Sequence, residues 1–276
     1  MDQPDRRFIA NTPSSSSSSA DAWLSRAATA CGWSIAAGQA LFIAFILLFY
    51  YPTTLTGRFE QWNSKPLITG FQAGDTLGNA GFALHVTLAA VITFCGLLQL
   101  LSSLRRRWPA VHRWSGRTFI VTAIVLSLGG LWLVWVRGSY LTLVGAAGIS
   151  VNAVVILACA TMAWIRARER QFKLHREWAL RLFVAASAVW FMRVGYMAWG
   201  LATGGVGIGD SMNGPFDFFL AFANTVVPLL VLEAYLRADG AGDRQKLATS
   251  ALLALSALVI LGGSAGAWLA MWGPYI

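Results

Sequence analysis

The sequence predicts an all-α fold: a polytopic transmembrane bundle of about seven helices. Three observations predict it. Of 276 residues, 57% are hydrophobic and only 12% charged, about half the charge fraction of a soluble domain. Thirteen tryptophans accompany a mean hydropathy of +0.59. Most decisively, seven apolar stretches each reach the roughly 20 residues that a helix needs to cross the hydrocarbon core. Backbone amides in lipid find partners only within the chain, so each stretch reads as a helix.

Residues 1–28 are polar, with Arg6, Arg7 and a serine run from Ser14 to Ser19. Such a segment cannot bury a core and reads as a disordered cytoplasmic tail. Residues 29–276 read as one transmembrane domain. Its segments fall at about 32–51, 80–104, 117–136, 140–165, 178–200, 216–236 and 248–272. Residues Arg137–Ser139 join the third and fourth as a tight antiparallel hairpin. Pro228 is placed to kink the sixth. The loop Ala202–Pro215 is glycine-rich and reads as mobile. It is no dinucleotide fingerprint, because no strand precedes it. Cys31, Cys95 and Cys159 lie in or beside apolar segments without metal or disulfide spacing, as buried thiols.

Charge sets the orientation. With the N-terminus inside, the inner loops hold Arg105, Arg106, Arg107, Arg113 and Arg117, then Arg166, Arg168, Arg170, Lys173 and Arg176, then Arg237, Arg244 and Lys246. The outer loops hold only Arg58, Lys65 and Arg137. The positive-inside rule therefore predicts N-in, C-out, in a bacterial inner membrane. It also explains the +9 net charge without nucleic acid. The expected partners are the bilayer and anionic lipid headgroups at the inner face.

Two basic loops resemble each other. H-R-W-S-G-R-T-F from His112 aligns with H-R-E-W-A-L-R-L-F from His175, with one insertion. Each joins an inward-running to an outward-running segment, so residues 80–200 read as two hairpin repeats forming a four-helix core. Within that span lie His85, the Gln99 of L-L-Q-L and P-x-x-H-R-x-x-G-R (Pro109, His112, Arg113, Gly116, Arg117). H-R-E-W-x-x-R (His175, Trp178, Arg181) and Arg193 follow. This pattern resembles the DUF2306 family of predicted bacterial membrane proteins. The resemblance implies a membrane fold and assigns no chemistry. Its four-helix core is similar to the membrane domains of b-type cytochromes, a likeness of fold alone.

Ionisable residues inside a membrane are costly and therefore candidate sites. An inner layer contains His112, His175, Arg113, Arg117 and Arg181. In one reading the two histidines ligate haem b from equivalent places and the arginines pair with its propionates, making a haem- or quinone-linked redox component. His85 lies far from both in depth and cannot share their iron. In the alternative, His85, Arg193 and Asp217 form an outer polar pocket of a small-molecule or proton carrier. In a third, the His-Arg elements only anchor helix entries of a non-catalytic scaffold. Arg181 and Glu233 are placed to pair across two helices. No nucleophilic triad, H-E-x-x-H or Walker motif is present.

Overall fold

A computed structural model describes residues 18–65 and 70–276. The helices are α1 (Ser19–Phe45), α2 (Tyr51–Leu55), α3 (Thr76–Leu100), α4 (Ser102–Arg107), α5 (Pro109–Trp135), α6 (Leu143–Arg168), α7 (Phe172–Ala186), α8 (Ala188–Thr203), α9 (Pro215–Ala238) and α10 (Asp243–Gly266). A π turn, Ile46–Tyr50, continues α1 into α2, and a second, Ala267–Trp272, continues α10. Among the described residues six helices are long and apolar enough to cross a membrane, and seven if the bent pair α7–α8 counts as one span. The all-α bundle read from the sequence is therefore present.

The boundaries differ from expectation where tertiary contacts extend a helix into polar sequence. α1 begins at Ser19 rather than near residue 32, so residues 19–28 of the expected tail are helical. Ser18 caps it by accepting from the amide of Asp21, whose carboxylate takes the Ser18 amide in return. Asp21 then meets Lys246 of α10 at 2.7 Å, and Ala20 and Leu24 are buried. The rest of the expected tail, residues 1–17, lies outside the described residues. α5 starts at Pro109, eight residues before the expected apolar edge. Proline suits the first helical turn, where its missing amide costs no bond.

The helices close a ring. α1 lies along α10, α10 packs on α8, α8 on α9, α9 on α6 and α7, α6 on α5, α5 on α3, and α3 returns to α1 and its π turn. Two cores result. On the basic side, Ile92 and Cys95 of α3, Phe119 and Ala123 of α5, Ile156 and Ala160 of α6, and Leu182 and Phe183 of α7 meet as the expected four-helix core. Gly96 sits at its centre, where an added Cβ would stand 3.0 Å from Phe119 and 3.1 Å from Phe183. The second core joins α1, its π turn, α8, α10 and Trp272. The three cysteines are free and buried.

The expected fifth segment is not one helix. It breaks at Ser187, and its halves meet at 55°. Ser187 donates its hydroxyl to the carbonyl of Phe183 at 2.7 Å, and its backbone rests at φ −86°, ψ 0°, the sparse bridge region between helix and extended chain. Neighbouring helices hold both sides of the break. Gln39 of α1 donates to Ser187 Oγ at 2.7 Å, and Asn152 of α6 donates to the Ala185 carbonyl at 2.9 Å. Polar partners of this kind make a broken helix tolerable within a membrane. The break sends α7 into the four-helix core and α8 against α10.

Candidate functional site

On the basic side the two histidines occupy equivalent places: each is the fourth residue of its helix, α5 or α7. Gln99 ties this end of α3 to α5, donating to Ser115 Oγ at 2.6 Å and to the His112 carbonyl at 3.1 Å. Gly116 leaves room for that amide, since a Cβ there would lie 3.0 Å from Gln99 Oε1. His175 Nδ1 pairs with the Ala163 carbonyl at 2.9 Å. His112 Nδ1 is buried without a partner among the described residues. Arg113 and Arg117 are exposed, and Arg117 stacks over Trp114 at 5.0 Å.

Arg181 pairs with Glu233 across α7 and α9, as the sequence predicts. Nε meets Oε1 at 2.6 Å and Nη2 meets Oε2 at 3.2 Å. Glu177, one turn back, stands at 3.9 Å, and the guanidinium lies 4.9 Å above Trp178. With its fork committed to a carboxylate, Arg181 has little left for a propionate. The interior above the histidines is filled by Phe119 and Phe183 around Gly96. The inner set therefore does not fit a haem macrocycle between the helices.

The expected outer trio separates into three settings. His85 faces the Gly129–Gly130 surface of α5, where an added Cβ on Gly130 would touch its Cε1 at 3.4 Å. Asp217 is saturated: Oδ1 accepts from Tyr196 at 2.8 Å, and Oδ2 accepts from the amides of Gly209 and Gly214, each at 2.8 Å. Asp217 thereby staples the glycine-rich loop, which is held in place where the sequence reads as mobile. Trp199 Nε1 adds a bond to the Val206 carbonyl at 2.7 Å. Arg193, carried away by the break at Ser187, faces α1 instead. Its guanidinium lies 5.5 Å from the Phe42 ring centroid, with Nη1 donating to Val189 of its own helix at 2.8 Å.

Arg193 gains a companion that sequence reasoning passed over. Lys65 is buried, with Nζ 4.0 Å from the Phe45 ring centroid and 5.5 Å from that of Tyr275. Trp272 stacks on Phe45 at 6.0 Å and tilts against Phe42 at 5.4 Å, closing one aromatic box around both cations. Tyr50 completes it against Phe45 at 5.7 Å. Two π turns supply Tyr50 and Trp272, and such turns recur at functional sites. Among the described residues no carboxylate lies within 4 Å of either cation. On the same elements, Gln39 Oε1, Trp190 Nε1, Ser264 Oγ and Trp272 Nε1 are buried without partners among the described residues.

The signal for Lys65 was present in its position. Of three basic residues on the sparsely charged side, Arg137 is paired with Asp75 at 2.7 Å and also bonds Asn79 and the Gly70 carbonyl. Arg58 is exposed. Only Lys65 is buried without a carboxylate, so it is the exception that needs a reason.

Two tests follow from these charges. Glu233→Gln strands a half-buried guanidinium, and thermal denaturation in detergent is expected to show a loss on the order of 1–2 kcal/mol. The double variant Arg181→Met/Glu233→Leu recovers most of it. Burial, then the positive charge of Arg193, push Lys65 down to about 7. Between that value and the ordinary lysine value near ~10.5 the unfolded chain holds the extra proton, so stability rises with pH across this window. Lys65→Met is accordingly expected to raise Tm most below pH 7, with a gain that shrinks toward higher pH. A gain independent of pH contradicts the assignment.

No curated protein and no solved structure matches the chain. Residues 82–210 match the family described as predicted membrane protein (DUF2306). The matched span holds α5 to α8 entire and most of α3, with the Gln99–His112 tie, the second histidine and Arg193. It excludes Lys65, Phe42 and Trp272. The aromatic box is thus built at a seam between that span and the flanking helices, and the likeness to the predicted membrane proteins of DUF2306 covers residues 82–210 alone.

Proposed function

We propose that this is a carrier-class protein of the bacterial inner membrane, N-in and C-out, that binds a small carboxylate- or phosphate-bearing solute between Lys65 and Arg193 on its outer side. One observation carries the reading: two cations share an aromatic box with no carboxylate within 4 Å among the described residues. Removing two like charges from water is expensive unless a counter-charge accompanies them. The π faces of Phe42 and Phe45 offset part of that cost, and an anion between the cations would offset the rest. Guanidinium and ammonium together suit an oxyanion, one by its planar fork and the other as a point charge.

The broken helix supports the carrier class. Transporter sites are commonly assembled where a discontinuous helix ends near the membrane midplane, with irregular backbone lining the site. Here the break at Ser187 lies six residues from Arg193. Gln39 bonds the break itself, and Ser264 and Trp190 both stand against Gly38 of α1, one residue before Gln39. Asp217 and His85 are structural in this reading. The inner histidines and arginines anchor the helix entries among anionic headgroups.

The reading is tested by thermal shift of the purified full chain in a buffer free of competing anions. Inorganic phosphate and short mono- and dicarboxylates are the probes. A ligand at a hundred times its Kd adds about 2.7 kcal/mol of stability. The shift is expected to disappear in Arg193→Gln and Lys65→Gln and to persist in Arg58→Gln, an exposed outer cation. If no anion stabilises the protein, or if the variants respond as the natural chain does, the reading fails.

A further inference from the structure

The face formed by α5 and α6 carries a second feature, independent of the outer box. Ile120, Val121 and Ile124 of α5 and Ala160, Thr161 and Trp164 of α6 line an apolar groove of about 260 Å³. It opens outward from the bundle, since Val121, Thr161 and Trp164 are exposed. A groove in a membrane-facing surface meets acyl chains by default, so its apolar lining alone says little. What sets it apart is the charge at one end.

Arg117, Val121 and Ile124 stand at i, i+4 and i+7 on α5, and Thr161, Trp164 and Arg168 stand at i, i+3 and i+7 on α6. These spacings put each arginine on the helix stripe that lines the groove. The two helices run antiparallel. Trp135 donates to Ser150 Oγ at 2.9 Å toward the other end, and counting from that bond sets Ile124 near residues 160–161 and Ile120 near Trp164, all of them lining residues. The same register sets Arg117 opposite residues 167 and 168. Both arginines therefore flank one mouth of the groove, with Arg113 one turn further out on α5.

These cations are free to take an anion. The nearby carboxylates are engaged elsewhere: Glu169 with Arg166 at 2.9 Å, Glu177 and Glu233 with Arg181. Arg117 and Arg168 are exposed, and no ion pair to either is recorded among the described residues. Trp164, one turn inside Arg168, places an indole at the depth where amphipathic rings favour the headgroup boundary.

We propose that the α5–α6 groove is a binding site for a single anionic phospholipid of the leaflet on the basic side. Its phosphate is held between Arg117 and Arg168, and one acyl chain lies against Val121, Ile124, Thr161 and Trp164. Arginine forks suit a phosphate diester, and the groove distinguishes a bound lipid from diffuse attraction to the surface.

Native mass spectrometry of the detergent-solubilised full chain, titrated with phosphatidylglycerol or phosphatidylcholine, tests this. One phosphatidylglycerol is expected to be retained in preference to phosphatidylcholine. The double variant Arg117→Gln/Arg168→Gln should weaken it on the order of thirtyfold, taking about 1 kcal/mol per basic residue at the surface. Val121→Trp fills the groove from its exposed side and should also lose the lipid, with both arginines intact. Glycerophosphate, which has the charge without the chains, should not compete. Equal retention of the two lipids overturns the proposal. So does retention that survives either variant, or displacement by glycerophosphate. A charge-only effect, lost in the arginine variant but kept in Val121→Trp, would show surface attraction and overturn the groove site.

Discussion

The break at Ser187 is the constraint on which the rest of the structure depends. A straight helix over the same residues would keep α8 in line with α7, beside α6. The 55° bend instead turns the second half onto α10 and delivers Arg193 to α1. Gln39 and Asn152 hold the break from opposite sides, one through the Ser187 hydroxyl and the other through the Ala185 carbonyl. Each is a polar side chain in an apolar helix, and each is used where the backbone loses its regular ladder. The four-helix core on the basic side and an aromatic box on the other are joined at this one point.

The two sides manage charge differently. On the basic side charges are either exposed or paired, and Arg181 has both a bidentate carboxylate and an indole face. Arg181, the half-buried cation of that side, thus has its counter-charge within the protein. On the other side Arg137 is paired with Asp75 and also bonds Asn79 and a carbonyl, while Lys65 and Arg193 have only aromatic faces and one backbone oxygen. That contrast between Arg137 and the pair Lys65–Arg193 is the ground of the proposed anion site.

The fold was legible because lipid imposes it. Length and hydropathy located the six long apolar helices and the bent α7–α8 pair, and the four-helix core followed from the likeness of two loops whose histidines prove to be the fourth residue of their helices. The Arg181–Glu233 pair was legible too, because two opposite charges in apolar helices have few other ways to be tolerated. The break was not. Ser187 sits in A-A-S-A, and a single serine among small residues carries no periodic signal. Since the break redirects Arg193, the expected grouping with His85 and Asp217 failed with it. Lys65 was visible only as an exception to the charge asymmetry, and its aromatic partners come from helices distant in sequence.

Anomalous diffraction from crystals of the full chain soaked in bromide tests the central claim most directly, because it locates an anion without presuming the natural ligand. The account predicts a bromide peak within hydrogen-bonding distance of both Lys65 Nζ and the Arg193 guanidinium, absent from crystals of Arg193→Gln. Bromide found only at the exposed arginines of the basic loops, or a peak in the box unchanged by the substitution, would contradict it.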